Sequence, residues 1–232
     1  MPQRIELQDI CYGYDQGSAV QDLFTQLSYT FGNGGSTAIL GRSGCGKSTL
    51  LNLLSGIDRP RSGSIRIDGD EITAFSESQL AIYRRRHVGI VFQSFNLVPT
   101  LSVGDNLRLP LELNKVPRHE REQRVDEVLT RVGLQGLRER YPEELSGGEQ
   151  QRVAVARSVV HRPKLVLADE PTGSLDAQNG TRAIELIRDT AAEDGHTLLI
   201  VTHSLAVAHY ADTVLVLDDS GQLASYREGI AW

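Results

Sequence analysis

The run Gly41-Arg42-Ser43-Gly44-Cys45-Gly46-Lys47-Ser48-Thr49 sets glycines, a lysine and paired hydroxyls within one short segment. Its spacing fits G-x-x-x-x-G-K-[ST], a loop that holds phosphate. The glycines let backbone N–H groups turn inward, and a following helix adds its positive end. Lys47 would supply a point charge to the β/γ-phosphates, and Ser48 a hydroxyl to Mg²⁺. Cys45 lies among those amides, near Lys47 and a helix start, which leads to the expectation of a thiolate.

A second segment, Lys164-Leu165-Val166-Leu167-Ala168-Asp169-Glu170-Pro171, is an apolar run ending in two carboxylates. A short apolar run bounded by turn residues reads as a buried strand. Its carboxylates then lie at the strand's C-terminal end, where open α/β sheets carry out ligand chemistry. Asp169 is placed to hold Mg²⁺ through water, because Mg²⁺ keeps much of its hydration shell. Glu170 is the candidate general base for a water attacking the γ-phosphate in line. Alone, such a pair would be a solvated strand end.

A third segment is Leu145-Ser146-Gly147-Gly148-Glu149-Gln150-Gln151-Arg152. Ser146, Gly147 and Gly148 precede a helix, so their N–H groups can also meet phosphate. One compact domain cannot easily bring both glycine-rich segments to one nucleotide, whereas a head-to-tail pair of subunits can. Tyr14 and Tyr12 both offer an aromatic face to a purine, worth about 1 kcal/mol. Alternation sets them on the same side of a strand.

Strand-like and helix-like stretches alternate around these segments. Residues 36–40 read as a strand, 47–55 as the helix after the phosphate loop, and 63–69 and 88–92 as further strands. Residues 102–113 and 117–132 read as helices, the second with Val125, Val128, Leu129 and Val132 at helical spacing. After Glu170 come a helix over 176–192, a strand over 197–202, a short helix over 204–211 and closing strands over 214–217 and 222–226. Phe95, Leu97, Val98, Pro99 and Leu101 form an apolar loop, which suggests a docking patch for a partner.

With 232 residues, 40% of them hydrophobic, the chain can form one substantial α/β domain. Its formal charge of −6 argues against a large nucleic-acid surface. Cys11 and Cys45 suggest no metal motif or disulfide framework, in keeping with a reducing cytosol. The N-terminal residues lack the apolar centre of a signal peptide, and no stretch has the ~20 apolar residues of a membrane span. The chain is therefore expected to be soluble by itself, with no added regulatory domain before Trp232.

Together the three segments resemble the ATP-binding cassette (ABC) ATPase family. The resemblance covers nearly the whole chain and implies a single nucleotide-binding domain over 1–232. It would have an α/β, RecA-like P-loop NTPase core, an N-terminal antiparallel β subdomain and a helical signature subdomain from about 95 to 160. It implies that Gln93 approaches Mg²⁺ and the attacking water. It makes His203 the switch histidine that contacts the γ-phosphate and supports Glu170. It favours Tyr14 over Tyr12 as the adenine platform and places Asp176 in a loop crossing the dimer interface. ATP and Mg²⁺ would bind between two subunits, with Ser146 reaching the partner's ATP.

Gln93 to Asn106 and Ala168 to Asp176 further resemble the MacB/LolD/FtsE subgroup, although that subgroup commonly has Asn where Ser174 stands. This implies an integral membrane permease partner and a place at the inner face of the membrane. The implied work is export, lipoprotein release or cell division. An ATPase for a soluble assembly, such as iron–sulphur cluster formation, is the alternative.

Overall fold

The computed structural model describes residues 4–16, 19–32 and 34–227. The chain opens with two long strands, β1 (Ile5–Gln16) and β2 (Ala19–Phe31). Then follow β3 (Ser36–Leu40), α1 (Lys47–Ser55), β4 (Ser62–Ile67), β5 (Asp70–Glu71), α2 (Glu77–His87) and β6 (Val88–Val91). Three helices come next: α3 (Val103–Leu113), α4 (Arg118–Arg131) and α5 (Gly147–Val159). The chain closes with β7 (Leu165–Asp169), α6 (Ala177–Glu193), β8 (Thr197–Thr202), α7 (Leu205–Ala208), β9 (Thr213–Leu217) and β10 (Leu223–Ser225).

Two sheets result. One is antiparallel, in the order β2-β1-β4-β5, and the other runs β10-β9-β3-β8-β7-β6. The second is parallel from β9 to β6, with β10 antiparallel at one edge. Its strands read as continuous apolar runs because both faces are covered. Side chains alternate between two cores. Ile39, Leu165, Leu167, Leu199 and Val201 pack with α1 and the antiparallel sheet. Ala38, Leu40, Val166, Ala168, Leu198 and Ile200 pack with the helices of the other face.

The anticipated elements are present with small boundary changes. Ser102, Asp176 and Ser204 act as N-caps rather than helical residues, each accepting a backbone N–H with its side chain. The helix α2 was not anticipated. It buries only Leu80 and Tyr83 and carries Arg84, Arg85 and Arg86, so its apolar stripe is thin. Its readable signal was the capping box of Ser76 and Gln79.

Candidate nucleotide site

The phosphate loop joins β3 to α1 at the C-terminal edge of the parallel sheet. Gly46 caps α1 at φ 105°, and a Cβ there would lie 2.9 Å from Leu23 and Phe24. Only glycine fits both the left-handed backbone and the close approach. Lys47 is buried and folds back over its loop, its ammonium donating to the carbonyls of Gly41 and Arg42, each at 2.9 Å. Ser43 and Gly44 lie on the loop's outer turn, with Gly44 at φ 87°.

Neighbouring strands bring the acidic groups to the same edge. Asp169 ends β7, and its Oδ1 accepts the Ser48 hydroxyl at 3.0 Å. Burial pushes the Asp169 carboxyl up and the Glu170 charge adds to this, while Ser48 and Lys47 oppose it. Two hard oxygens meeting beside a second carboxylate suit Mg²⁺. Glu170 adopts a positive φ of 42°, a sparsely populated conformation for a side-chain-bearing residue. Its N–H donates to Val201 O at 3.0 Å. Its carboxylate turns to the end of β8, where Thr202 Oγ1 donates at 3.1 Å and His203 Nδ1 lies 2.9 Å away. Lys47 Nζ is 3.8 Å from the same carboxylate. The left-handed turn therefore separates two adjacent carboxylates, one onto Ser48 and one onto Thr202 and His203.

Gln93 follows β6 and is exposed; its main-chain carbonyl accepts the Ser174 hydroxyl at 2.8 Å. Gly173 lies so close that a Cβ would come within 2.6 Å of Gln93 Nε2. Tyr14 is 47% exposed, and its hydroxyl shares a 2.7 Å hydrogen bond with Thr49 of α1. Tyr12 meets it edge-on at 5.4 Å, so the two tyrosines do share a face.

The signature segment lies on different supports. Ser146 caps α5 in a reciprocal box with Glu149, whose carboxylate accepts the Ser146 hydroxyl at 2.7 Å and its N–H at 2.8 Å. These bonds hold the Glu149 carboxyl below its usual range. Gly147 and Gly148 form the first turn of α5, which packs on α3, α6 and β6, whereas α1 packs on β7 and β8. The structure therefore brings together Lys47, Ser48, Asp169, Glu170 and His203, while Ser146 bonds within its own helix turn. Asp176 caps α6, accepting from Asn179 N at 3.0 Å.

Two expectations are corrected. Cys45 is not set up as a thiolate: burial pushes its thiol up, outweighing Lys47. Its sulphur faces Gly41, where an added Cβ would come within 2.5 Å. The apolar loop after Gln93 does not stand out as a patch. Leu97 packs on the main core, and the exposed large apolar side chains nearby are Leu109 and Leu113 of α3.

Other contributors were not anticipated. Thr202 orients Glu170 and is fully buried. Buried Gln151 of α5 donates to Pro171 O at 2.8 Å, tying the signature helix to the turn after Glu170. Asn106 is also fully buried, and its amide bonds to Val98, Leu101 and Ser102, fastening the loop after Gln93 to α3. A hydroxyl directly before His203 was the available signal for Thr202; Gln151 gave none, because its partner is a main-chain atom 20 residues away, and Asn106 none, because its bonds go to main-chain atoms of the preceding loop and turn.

A phosphate loop, paired carboxylates and a histidine at the carboxyl edge of a parallel sheet define a P-loop nucleotide hydrolase. Residues 24–173 match the ABC transporter family. An uncharacterized ABC transporter ATP-binding protein of Mycobacterium tuberculosis is 41% identical over 92% of this chain and 86% of its own length. The bacitracin export ATP-binding protein BceA of Halalkalibacterium halodurans is 36% identical over 94% of this chain and 86% of its own. The macrolide export ATP-binding/permease protein MacB of Sodalis glossinidius is 40% identical over 96% of this chain, but over 34% of its own length. A dimeric structure of the cassette MJ0796, in a post-hydrolysis state bound to ADP and Pi, matches with a TM-score of 0.86 at 33% identity, covering 96% of this chain and 99% of that one. The chain belongs to the ABC transporter family, as an ATP-binding and ATP-hydrolysing subunit that powers a transporter. No helix among the described residues is long and apolar enough to cross a membrane.

Proposed function

We propose that two copies of this chain close head to tail on a membrane permease and power export. Each ATP would lie between the phosphate loop of one copy and Ser146, Gly147 and Gly148 of the other. The single observation that carries this reading is the division of the site. Lys47, Ser48, Asp169, Glu170 and His203 converge at one sheet edge, while Ser146 is built onto a separate helix.

Each residue then has a task. The loop from Gly41 to Thr49 wraps the phosphates, and Lys47 neutralises charge at the γ-phosphate. Ser48 and Asp169 would hold Mg²⁺, which supplies charge neutralisation at the phosphates when bound, with Gln93 near the same ion. Glu170 takes a proton from the attacking water, and Thr202 and His203 fix its carboxylate. Tyr14 stacks on adenine, and Asp176 borders the partner subunit. Residues 95–160 act as a helical unit within one nucleotide-binding domain over 1–232. The exposed Leu109 and Leu113 on α3, joined through Asn106 to the Gln93 loop, are the face assigned to the permease. That partnership would hold the chain at the inner face of the membrane. The export relatives favour this work over lipoprotein release, cell division or a soluble assembly.

Glu170→Gln tests the reading. The variant should bind ATP normally, lose about 10²–10⁴-fold in turnover, and run as a dimer in light scattering only when ATP is added. Near-normal turnover would move the base elsewhere, and a monomer with ATP bound would sink the paired arrangement.

A further inference from the structure

Beyond Gln93 the chain enters an unusual turn. Phe95 and Asn96 both have positive φ, at 58° and 53°. The left-handed region is uncommon for a bulky aromatic, and such a conformation persists only where its surroundings over-determine it. Here one side chain does so. Arg157 of α5 donates Nη2 to Phe95 O at 3.0 Å and Nη1 to Asn96 O at 2.6 Å. The planar guanidinium fork matches two successive carbonyls in a way that a lysine ammonium cannot.

This is a costly use of an arginine. Arg157 is half-buried, and burial lowers its pKa with no neighbouring carboxylate opposing it. Its charge is spent on two main-chain oxygens. The same loop is held a second time, since Ser174 Oγ donates to Gln93 O at 2.8 Å. Gln93 is thus held by the turn after Glu170 on one side and, two residues on, by the signature helix on the other.

We propose that Arg157 is a positioning residue for hydrolysis: by clamping the Phe95–Asn96 turn it sets where the Gln93 amide stands. The proposal rests on the reading of Gln93 as the residue beside the attacking water. It also gives the signature helix two ends with two tasks. Ser146 at its start faces the partner's ATP, and Arg157, about 16 Å along the axis at 1.5 Å per residue, grips this subunit's own Gln93 loop. A movement of α5 on closure is thereby delivered to the site of the same chain.

The test uses the full-length chain and compares Arg157→Met, Arg157→Lys and Gln93→Ala, with the Gln93→Ala/Arg157→Met double variant. Arg157→Met should lower kcat about 10–100-fold, with KM for ATP within about twofold, because nucleotide contacts are untouched. Arg157→Lys should recover part of the loss. The double variant should be no worse than Gln93→Ala, because residues acting through one another are not additive. Amide hydrogen exchange over residues 94–97 should quicken at least about tenfold in Arg157→Met while α1 and β7 keep wild-type protection. Unchanged exchange at 94–97 overturns the clamp. Quickened exchange with wild-type kcat, or fully additive losses in the double variant, overturns its positioning role. A harmless Gln93→Ala overturns the Gln93 reading by itself and the functional half of this proposal with it, while the exchange data still decide the clamp. If Arg157→Met does not fold, Arg157→Lys carries the same comparisons at smaller amplitude.

Discussion

Lys47, Ser48, Asp169, Glu170 and Thr202 bond to one another or approach closely across three neighbouring strand ends, whereas the Ser146 hydroxyl bonds to Glu149 in its own helical turn. The strands beneath the first group are buried on both faces, in a sheet whose neighbours fix their register. The helices around the second are laced by surface arginines: Arg108, Arg121, Arg124, Arg138 and Arg140 each pair with a carboxylate of the same region. Surface pairs of this kind, most of them partly exposed, contribute about 0–1 kcal/mol each. The groups proposed to act on one phosphate within one subunit are thus fixed to neighbouring ends of one buried sheet. The groups proposed to meet a partner's phosphate begin a helix, α5, that packs on α3, α6 and β6 and shares the core on the other face of the sheet. The two halves still touch through Gln151 and Arg157 of α5, which bond to the main chain at Pro171 and at Phe95 and Asn96.

The most damaging way to probe the comparison is to block the signature half alone. Ser146→Arg puts bulk where a phosphate contact is proposed and should reduce turnover about 10²-fold. ATP binding to the monomer should stay near wild type, because the phosphate loop is intact. Combined with Glu170→Gln, it should abolish the ATP-dependent dimer seen by light scattering. A stable dimer of that double variant would show that the two halves do not meet across subunits.

Acid offers a second probe, at the foot of the signature helix. His161 follows α5, with Nε2 3.2 Å from Val88 O and a buried Nδ1 that lacks a partner. Burial lowers its pKa from 6.5 to about 4, against the pull of the Val88 carbonyl. Burial lowers His87 and His196 as well. The unfolded chain therefore takes up protons below about pH 6.5 that the folded chain refuses, so stability falls as pH drops from about 6.5 towards 4. For His161 alone the loss between pH 7 and pH 5 should be about 2 kcal/mol. Urea unfolding at the two pH values measures it, and His161→Phe should lose less. Equal losses in both proteins would place the acid sensitivity elsewhere.

A smaller effect separates orientation from proton transfer within the sheet half. Thr202→Val removes the hydroxyl that holds Glu170 Oε2 and should cost about tenfold in kcat, with KM unchanged, while Thr202→Ser should retain most activity. Full activity in Thr202→Val would leave His203 as sufficient support for the carboxylate.

The smallest effect concerns the rigidity of the phosphate loop. Cys45 is buried with its thiol pushed up, and Cys11 is partly exposed. Alkylation followed by peptide mass spectrometry should label Cys11 at least about tenfold faster than Cys45. Comparable rates would mean that the loop opens readily and that its thiol is more reactive than its burial implies.

Local patterns in the chain determined much of this protein. The phosphate loop, the apolar strand ending in Asp169 and Glu170, and the glycine-rich start of α5 each carry their signal within about ten residues, because loop, strand end and helix cap are local structures. The same holds for α1 and β8, whose expected ranges match the structure. The tertiary structure decided what depended on distant partners. It buried Cys45 against Gly41 and packed a half-buried Leu97 on the core, reversing both local expectations. It delivered Thr202 to Glu170 from an adjacent strand, and Gln151 and Arg157 to the main chain of remote loops. A side chain's type states which bonds it can make; which atoms lie within 3 Å of it is fixed only when the sheets and helices close around their two cores.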